Sequence, residues 1–371
     1  MRIAIDATPA AVQRGGVGRY TRELVRALVQ ETLDHSFVLS AAARSAEADG
    51  LLASLPPGAW RELRRLPARE RLMTAMWQRA RLPVSIEQWI GPHDVFHGAD
   101  FALPPTRART VVTVHDFSFL LHPEYCHPDL GRYLRNVVPR SVNRADVVIT
   151  VSASVAAEFA SIFPGVREKV VAIPNGFAAP PDRGKPSLSG PPTVLMVGTI
   201  EPRKNHRTVI RAMAGVRDAL PDARLVVVGR RGWLDDEIVA EIETGRRAGW
   251  LDWMENANDR DLENVYRAAT VFVAASHYEG FGLPVLEAMS HGVPCIVSDI
   301  PAHREVGGDA AIYVHPTEVD AFADSIIRLL TDDDARGQLA CAGPERATGY
   351  SWQETARRTL RAYELAASGS R

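Results

Sequence analysis

The sequence predicts an α/β protein made of two doubly wound domains, each built on a parallel β-sheet. Short runs rich in valine and isoleucine alternate with longer amphipathic stretches along the whole chain. Continuous apolar runs of this kind are typical of parallel strands that are buried on both faces. A break divides the pattern: residues 178–192 contain five prolines and two glycines, which is typical of an interdomain linker. The predicted domains are therefore 1–177 and 193–350.

Each half of the chain opens with a strand, a loop and a helix. In the first half these are a strand at 2–7, a glycine-rich loop at 15–18 and a helix at 20–30. In the second half a strand at 193–197 and a charged loop precede a helix at 206–220. Examples of the predicted strands are 3–7, 37–40, 110–114, 147–151, 194–197, 225–228, 271–274 and 295–298.

The composition is that of an ordinary globular protein and argues against several classes. Hydrophobic residues make up 46% and charged residues 24% of the 371 residues, and the net charge of -2 gives no indication of nucleic-acid binding. No run of about 18 apolar residues is present, so no transmembrane helix is expected. Residues 1–6 are interpreted as a first strand and not as a signal peptide, because a charge lies inside their apolar run. The three cysteines are far apart and show no metal or disulfide spacing, which predicts a cytoplasmic location.

The most informative segment, residues 279–287, reads Glu-Gly-Phe-Gly-Leu-Pro-Val-Leu-Glu. A strand predicted at 270–276 runs into it, and a helix predicted at 283–291 runs out of it. The two glycines let backbone amides approach a ligand closely, and the free N–H groups at the helix start favour an anion. With Glu279 and Glu287 on either side, the pattern predicts a site for the phosphate of a nucleotide joined to a sugar.

This segment resembles the corresponding motif of the retaining glycosyltransferases of family 4, which use nucleotide-sugar donors and have the GT-B fold. The resemblance extends to residues 197–205 and 298–301 in the second half, and more loosely to 15–18 and 115–116 in the first. It implies two Rossmann-like domains that face a central cleft. It also implies that residues 351–371 return as a helix onto the first domain.

Arg203 and Lys204 follow the first strand of the second half, and they carry the positive charge that a departing diphosphate needs. The resemblance implies that both side chains bind the diphosphate of the donor. Only Lys169, Lys185 and Lys204 are lysines among 43 basic residues, which supports a need for an ammonium group at position 204. Without the surrounding motif, an exposed pair of surface cations would explain the two residues equally well.

The resemblance also assigns roles to the glycine turn. Glu287 would bind the ribose hydroxyls of the nucleotide, because a carboxylate accepts hydrogen bonds from two hydroxyls well. Glu279 would contact hydroxyls of the donor sugar. Backbone N–H groups near Phe281, Gly282 and Leu283 would hold the sugar or the phosphate. A lone glutamate on a helix surface or in a turn would more often be an ordinary exposed residue.

Two more segments complete the expected donor site. Backbone groups near Met254 would contact the base, and Asn256 or Glu255 would read a guanine edge. The sequence Met-Glu-Asn departs here from the apolar-Gly-aromatic pattern of the family, so the identity of the nucleotide base stays open. Gly16 would add backbone amides that close on the phosphates, although a plain turn is the alternative. The glycine spacing is not the dinucleotide fingerprint, which disfavours NAD binding.

His115 ends the strand at 110–114, and the family places a histidine at this point beside the reacting sugar. A packing histidine with a satisfied hydrogen bond is the alternative. Asp116 would hold the loop or contact the acceptor, and it ranks below His115.

The resemblance implies transfer with retention of configuration, in which the acceptor hydroxyl attacks on the face that the diphosphate leaves. No side chain is placed by the sequence as a covalent nucleophile, and two-carboxylate hydrolysis is a poor match. No metal-ligand cluster stands out, so metal-independent chemistry is expected, without a cofactor besides the donor substrate.

Residues 198–205 most resemble bacterial mannosyltransferases of cell-surface polysaccharide synthesis, such as that of lipopolysaccharide O-antigen. This favours GDP-mannose as donor and a hydroxyl of a glycan or lipid-linked molecule as acceptor. A rhamnosyl- or glucosyltransferase with another donor is one alternative, and a GT-B epimerase or phosphorylase is a more distant one. A catalytically inert GT-B partner in a polysaccharide assembly complex is the alternative of a different class, and the intact motif argues against it.

Residues 60–81 contain seven arginines and two glutamates, interleaved with Leu72, Met73, Met76 and Trp77. One interpretation is a basic amphipathic patch that rests on an anionic membrane surface, which would place the protein on the inner face of the cytoplasmic membrane. The alternative is a helix with a solvated charged face.

Overall fold

The computed structural model describes residues 1–13, 15–32, 34–54, 62–177 and 190–369. The chain groups into two compact α/β units. One contains Met1–Leu121, Pro128–Gly176 and Tyr350–Arg371, and the other contains His122–His127 and Phe177–Gly349. Most of the predicted linker, at 178–189, lies outside the described residues.

The described part of the first unit contains a parallel sheet in the order β3-β2-β1-β4-β5-β6-β7. Its strands are β1 (Arg2–Asp6), β2 (Ser36–Ala41), β3 (Glu62–Arg65), β4 (Val95–Gly98), β5 (Arg109–Val114), β6 (Val147–Thr150) and β7 (Val170–Ala172). Its helices before the linker are α1 (Thr8–Val12), α2 (Gly16–Glu31), α3 (Ser45–Ser54), α4 (Glu70–Thr74), α5 (Glu87–Ile90), α6 (Ser118–Leu121), α7 (Pro128–Arg144) and α8 (Ala153–Ile162). A π-helical turn, Ala75–Arg79, continues α4.

The second unit contains a second parallel sheet, in the order β10-β9-β8-β11-β12-β13. Its strands are β8 (Thr193–Val197), β9 (Arg224–Val228), β10 (Leu251–Met254), β11 (Val271–Ala274), β12 (Cys295–Ser298) and β13 (Ala311–Val314). Its helices are α9 (His206–Ala219), α10 (Asp236–Arg247), α11 (Asp259–Ala268), α12 (Leu283–Ser290), α13 (Pro301–Gly307), α14 (Val319–Thr331) and α15 (Asp333–Ala347). Short 3-10 helices occur at Pro123–Tyr125 and Pro202–Lys204 in this unit and at Pro164–Lys169 in the first.

The last helix, α16 (Trp352–Ser368), belongs to the first unit. The side chain of Ser351 caps its start by accepting a hydrogen bond from Glu354 N at 3.2 Å. Arg358 donates to Ala172 O in β7 at 2.6 Å, and Tyr363 OH lies 2.7 Å from His97 Nδ1 in β4. Residues at the end of the chain therefore complete the packing of the first sheet.

The strands predicted from valine- and isoleucine-rich runs are confirmed, with boundaries that differ by at most one residue at either end. Strands that the sequence did not reveal are β3, β4, β7, β10 and β13. These are short, and some include polar residues. His97 in β4, for example, is fully buried. Its polar ring tolerates burial because Tyr363 and Thr113 both form hydrogen bonds with it.

The glycine-rich loop predicted at 15–18 is wrong in its extent, because α2 already begins at Gly16. Gly15 is the extended residue before the helix. A Cβ atom on Gly18 would lie 2.0 Å from Gln13 O, so this glycine permits close approach of the helix to the preceding chain. Gly16 lies at the exposed helix start, where backbone N–H groups lack intrahelical partners.

Of the two interpretations of residues 60–81, the helix with a solvated charged face is wrong for the part before Glu70. Residues 60 and 61 lie outside the described residues, and Glu62–Arg65 forms the edge strand β3, which pairs with β2. Helical structure begins only at Glu70. The first part of this stretch therefore pairs with the edge of the sheet, and the side chains of residues 62–81 do not share one helix face.

None of the helices in the described ranges is long and apolar enough to span a bilayer.

We expect Tyr363→Phe to destabilise the first unit, because it removes the hydroxyl that lies 2.7 Å from the buried ring of His97. Burial lowers the pKa of His97 to about 3, so this ring is neutral and depends on both neighbours for its hydrogen bonds. The loss should be about 1–3 kcal/mol in the free energy of unfolding, measured by denaturant titration. Tyr125→Phe is the matched control, because its hydroxyl forms no hydrogen bond in the described structure. Equal stability of the two variants would contradict the proposed role.

Candidate functional site

Two loops meet at the carboxyl ends of β8 and β11, which are neighbours in the second sheet. Asn205, in the left-handed conformation with φ 54°, ends the 3-10 helix after β8. Its side-chain amide donates to Ala275 O at 3.0 Å and to Pro316 O at 2.7 Å. His277 N donates to Arg203 O at 2.9 Å. These bonds fix the backbone from which Arg203 and Lys204 extend.

Arg203 and Lys204 converge on Glu279. Lys204 Nζ lies 2.6 Å from Glu279 Oε1, and Arg203 Nη1 lies 2.8 Å from Glu279 Oε2. Arg203 Nη2 also donates to Glu201 Oε1 at 2.7 Å, and Ser276 Oγ donates to Glu279 Oε1 at 2.7 Å. The side chains of the two cations are each 16% exposed. The network therefore holds positive charge at the strand ends with little freedom to move.

Burial and charge act differently on the two carboxylates of this network. Burial favours the neutral form of Glu279, but the charges of Lys204 and Arg203 outweigh it and hold the pKa of this carboxyl well below its usual range. Burial raises the pKa of Glu201, and the same two cations oppose that rise only in part. Glu279 is thus the firmly ionised partner of the cations, and Glu201 is the member of the network that accepts a proton more readily.

A small pocket beside this network is lined by Lys204, Glu279 and two histidines that the sequence analysis did not single out. Burial, together with the charge of Lys204, lowers the pKa of His206 to about 3. Burial also lowers the pKa of His303 to about 4, although the charge of Glu279 opposes the shift. His206 Nδ1 is buried and has no hydrogen-bond partner in the described structure. Both rings are neutral near pH 7 and present polar nitrogen atoms without adding charge.

The glycine turn is placed as its sequence predicted. Gly282 precedes α12 with φ 119°, a conformation that favours glycine, and Leu283 is the first helical residue. Phe281 is buried, at 4% exposure. The N–H groups of Val285 and Leu286 donate to Gly282 O at 3.0 and 3.3 Å, and Pro284 has no N–H group, so the donors left for an anion at this helix start are the N–H groups of Gly282 and Leu283.

Glu287 lies on α12, and it is buried, at 6% exposure. Tyr266 OH, on α11, donates to its Oε2 atom at 2.8 Å. His291 stacks on the ring of Tyr266 with 5.1 Å between centroids, and its Nδ1–H donates to Glu287 O at 2.8 Å. Tyr266 therefore holds the Glu287 carboxylate in place, and His291 supports it by packing on Tyr266 and bonding the backbone of Glu287. No motif in the sequence pointed to Tyr266, because it is 21 residues from Glu287 along the chain.

The two positions expected near the base lie at the same edge of the sheet, two strands away from β8. Met254 ends β10, and its carbonyl accepts a hydrogen bond from Gly229 N at 3.0 Å. Asn256 follows in an exposed turn. Its amide is therefore accessible to a ligand.

His277 has a structural environment of its own in the second unit. Its ring stacks on Tyr125 with 5.1 Å between centroids and an interplanar angle of 11°. Trp233 Nε1 donates to Tyr125 O at 2.7 Å, which fixes the position of the tyrosine. This contact explains a histidine that the sequence left without an interpretation.

His115 lies in the first unit, at the end of β5. Its Nε2–H donates to Ala99 O at 2.8 Å, and its ring lies edge-on to Tyr20 with 4.9 Å between centroids. Asp116 accepts hydrogen bonds from the backbone N and the hydroxyl of Ser118, at 2.9 and 2.7 Å. His115 is thus held in one orientation, and Asp116 stabilises the following turn.

Sequence reasoning missed two carboxylates at neighbouring strand ends of the first unit. Asp6 ends β1, and Asp100 follows β4 and accepts a hydrogen bond from Gln13 Nε2 at 3.0 Å. Burial raises the pKa of Asp100, although the charge of His115 opposes the shift. Burial raises the pKa of Asp6 as well. In the described ranges, no group of three or more histidine, cysteine or acidic side chains is arranged to hold a metal ion.

Comparisons with known proteins agree with this geometry. The model for "Glycosyltransferase Family 4" matches residues 14–178, and that for "Glycosyl transferases group 1" matches residues 180–346. O-antigen chain mannosyltransferase B of Escherichia coli is 36% identical over 285 residues, which are 73% of this chain and 74% of that protein. The chain belongs to glycosyltransferase family 4. A phosphatidyl-myo-inositol mannosyltransferase of Mycobacterium leprae is 32% identical over 210 residues, 54% of this chain and 55% of that protein.

Solved structures identify the fold of this family 4 glycosyltransferase. Anabaena Alr3699/HepE, crystallised with UDP and glucose, superimposes with a TM-score of 0.73 at 18% identity and covers 97% of this chain and 98% of its own. A lipopolysaccharide outer core galactosyltransferase, WaaB, has a TM-score of 0.65 at 15% identity, over 98% of this chain and 99% of its own. The glycosyltransferase therefore has the GT-B fold, with two Rossmann-like domains.

We expect Tyr266→Phe to weaken nucleotide binding about 3- to 10-fold, because Glu287 loses the hydroxyl donor that orients it. The measurement is titration of the nucleotide by isothermal calorimetry. Tyr313→Phe is the matched control, since its hydroxyl donates to Gly308 O at 2.6 Å, away from Glu287. Equal effects of the two substitutions would contradict a positioning role for Tyr266.

Proposed function

We propose that this enzyme transfers a hexose from a nucleoside diphosphate sugar to a hydroxyl of a glycan or lipid-linked acceptor, with retention of configuration. The donor that we favour is GDP-mannose, and the setting is the synthesis of a cell-surface polysaccharide such as O-antigen. The observation that carries the proposal is the convergence of Arg203 and Lys204 on Glu279 beside the glycine turn of α12.

The cations suit a departing diphosphate. Negative charge grows on the phosphate oxygens as the bond to the sugar breaks, and positive charge fixed in advance near those oxygens stabilises the transition state. Arg203 and Lys204 meet this need because the protein orients them before the ligand binds. The backbone N–H groups of Gly282 and Leu283, at the start of α12, are proposed as further donors for the same anion.

The carboxylates suit the sugar hydroxyls. Glu287 is held by Tyr266 and is proposed to accept hydrogen bonds from the ribose. Glu279 is proposed to contact the donor sugar in addition to holding the cations. Three donors already bond its oxygens, and an ionised carboxylate offers about four lone-pair sites, so there is room for one further donor from the sugar. Met254, Asn256 and Gly16 keep their proposed roles toward the nucleotide, and His115 keeps its proposed role at the reacting sugar.

The reaction that we propose needs no covalent enzyme intermediate. The acceptor oxygen forms a bond to the anomeric carbon on the face from which the diphosphate oxygen departs, and the acceptor proton passes to the leaving phosphate. The protein supplies position and charge. We propose that this transfer is independent of metal and of any cofactor besides the donor.

The choice of mannose rests on relatives. Both curated relatives described above are named as mannosyltransferases. A rhamnosyl- or glucosyltransferase that uses another donor is the runner-up, since the family motif alone does not select the base. We also propose a peripheral position on the inner face of the cytoplasmic membrane, as suits a lipid-linked acceptor.

A panel of GDP, UDP, ADP and dTDP tests the donor class. We expect GDP to raise the melting temperature most, because a ligand that binds only the folded state stabilises it by mass action. A larger shift with UDP or dTDP would overturn the choice of GDP-mannose while leaving the transferase intact. No shift with any nucleotide would favour an inert GT-B partner.

We expect Lys204→Ala to lower kcat/KM by about two orders of magnitude or more, as loss of an electrostatic stabiliser does. The assay is transfer from the donor identified by the panel. Lys169→Ala is the control, since the one partner of its ammonium among the described residues is Asn143 O, in the first unit. Activity of Lys204→Ala within a few-fold of wild type, in folded protein, would rule out the role.

A further inference from the structure

A second charged pocket lies wholly in the first unit. It has a volume of about 380 Å³, which is within the usual range of small-molecule sites. Arg79 and Arg81 line it from the segment after α4, and Arg132 and Arg140 line it from α7. None of the residues that line this pocket belongs to the donor-site motifs at 197–205, 279–287 and 298–301.

The charge of this arginine pocket is largely uncompensated. Asp129 is the acidic residue among its lining side chains, and it meets Arg132 at 3.3 Å with both side chains more than 70% exposed. An exposed ion pair of this kind contributes little free energy, so Asp129 offsets the charge of Arg132 only weakly. The side chains of Arg79, Arg81 and Arg140 form no hydrogen bond or ion pair in the described ranges. Guanidinium groups bind phosphate through paired hydrogen bonds, so the pocket is suited to a phosphate ligand.

The backbone conformation of two segments brings these arginines to one pocket. Arg132, Asn136 and Arg140 are spaced by four residues on α7, so they lie on the same face of that helix. Arg79 ends the π-helical turn, and Arg81 follows in the left-handed conformation with φ 53°. A π-helical turn and a left-handed arginine are both uncommon, and such features often occur at functional sites.

The pocket adjoins the strand ends of the first sheet. Tyr133, on α7, lines the pocket and is hydrogen-bonded to Thr74. Burial raises the pKa of its hydroxyl, and the charges of Asp100, after β4, and of Asp6, at the end of β1, add to that rise. Ligands of open α/β sheets bind outside the carboxyl ends of the strands. A molecule held by the arginines would therefore extend toward the edge of the sheet at which His115 lies.

Exposed leucines occur in the same two segments of the chain as the arginines. Leu82 follows Arg81 and is 45% exposed, and Leu130 follows Asp129 and is 41% exposed. Leu72, on α4, is 65% exposed. Arginines with adjacent exposed leucines suit a ligand that has a charged head and an apolar chain.

We propose that the arginine pocket binds the phosphate or diphosphate group of a lipid that carries the acceptor sugar. This proposal rests on the transferase function proposed above, whose acceptor it specifies. The leucines contact the apolar chain, and the acceptor hydroxyl extends toward the strand ends of the first unit.

The test compares two double variants of the full chain. Arg79→Gln/Arg140→Gln removes two pocket charges, and Arg167→Gln/Arg361→Gln removes two exposed charges of the same unit whose side chains form no ion pair in the described ranges. Binding is measured by co-sedimentation with phosphatidylcholine vesicles that contain a long-chain prenyl diphosphate. Vesicles with phosphatidylglycerol at the same surface charge are the second arm, and inorganic pyrophosphate is the soluble competitor.

We expect wild type and the Arg167/Arg361 variant to prefer the prenyl diphosphate vesicles, and the Arg79/Arg140 variant to bind them at least about tenfold more weakly. Equal loss on both vesicle types would overturn the proposal in favour of a general anionic surface. Equal competition by inorganic pyrophosphate and by lipid would assign the pocket to a free phosphate compound. No loss in the pocket variant would show that the pocket is not the site.

A nucleotide titration of the same variants separates this proposal from the transferase function. If the pocket variant binds nucleotide as wild type does but loses the lipid, the acceptor proposal stands. If no variant, wild type included, binds any nucleotide, the transferase function fails whatever the vesicles show.

Discussion

The second unit depends on one electrostatic constraint, the pairing of Arg203 and Lys204 with Glu279 and Glu201. Two neighbouring cations with little exposure would be unfavourable without partners, because removing a charge from water is costly. The carboxylates compensate that cost before any ligand binds. An incoming diphosphate then adds negative charge to a balanced cluster. Glu201, whose pKa is raised by burial, is the member most able to take up a proton in response.

Much of the fold could be predicted from the sequence, because parallel strands buried on both faces leave a continuous apolar signature. Strands β8, β11 and β12 are examples, and the glycine turn before α12 follows from the chemistry of Gly282. The edge strand β3 could not be predicted this way. Its sequence Glu-Leu-Arg-Arg has no apolar run, and it becomes a strand only because β2 offers a free edge.

The same distinction separates the predicted and the missed residues of the site. Arg203, Lys204, Glu279 and Glu287 lie within short motifs, so the spacing of residues in the sequence was enough to identify them as candidates. Tyr266 is defined by a contact across 21 residues. His206 and His303 stand beside the motifs at 197–205 and 298–301, and they matter only through burial, which no spacing reveals. Residues that act by packing on a motif have to be found in three dimensions.

The two units show opposite electrostatic arrangements, one at the strand ends of the second sheet and one in the arginine pocket of the first unit. In the second unit, the cations are paired with carboxylates and oriented before the ligand binds. In the first, Arg79, Arg81 and Arg140 have no carboxylate partner in the described ranges; Arg79 and Arg81 are exposed, and Arg140 is half-buried. Solvated arginines lose less on pairing with a phosphate than buried ones would, but they fix its position less well. Such a site suits anchoring a flexible acceptor, whereas the rigid network suits the bond that breaks.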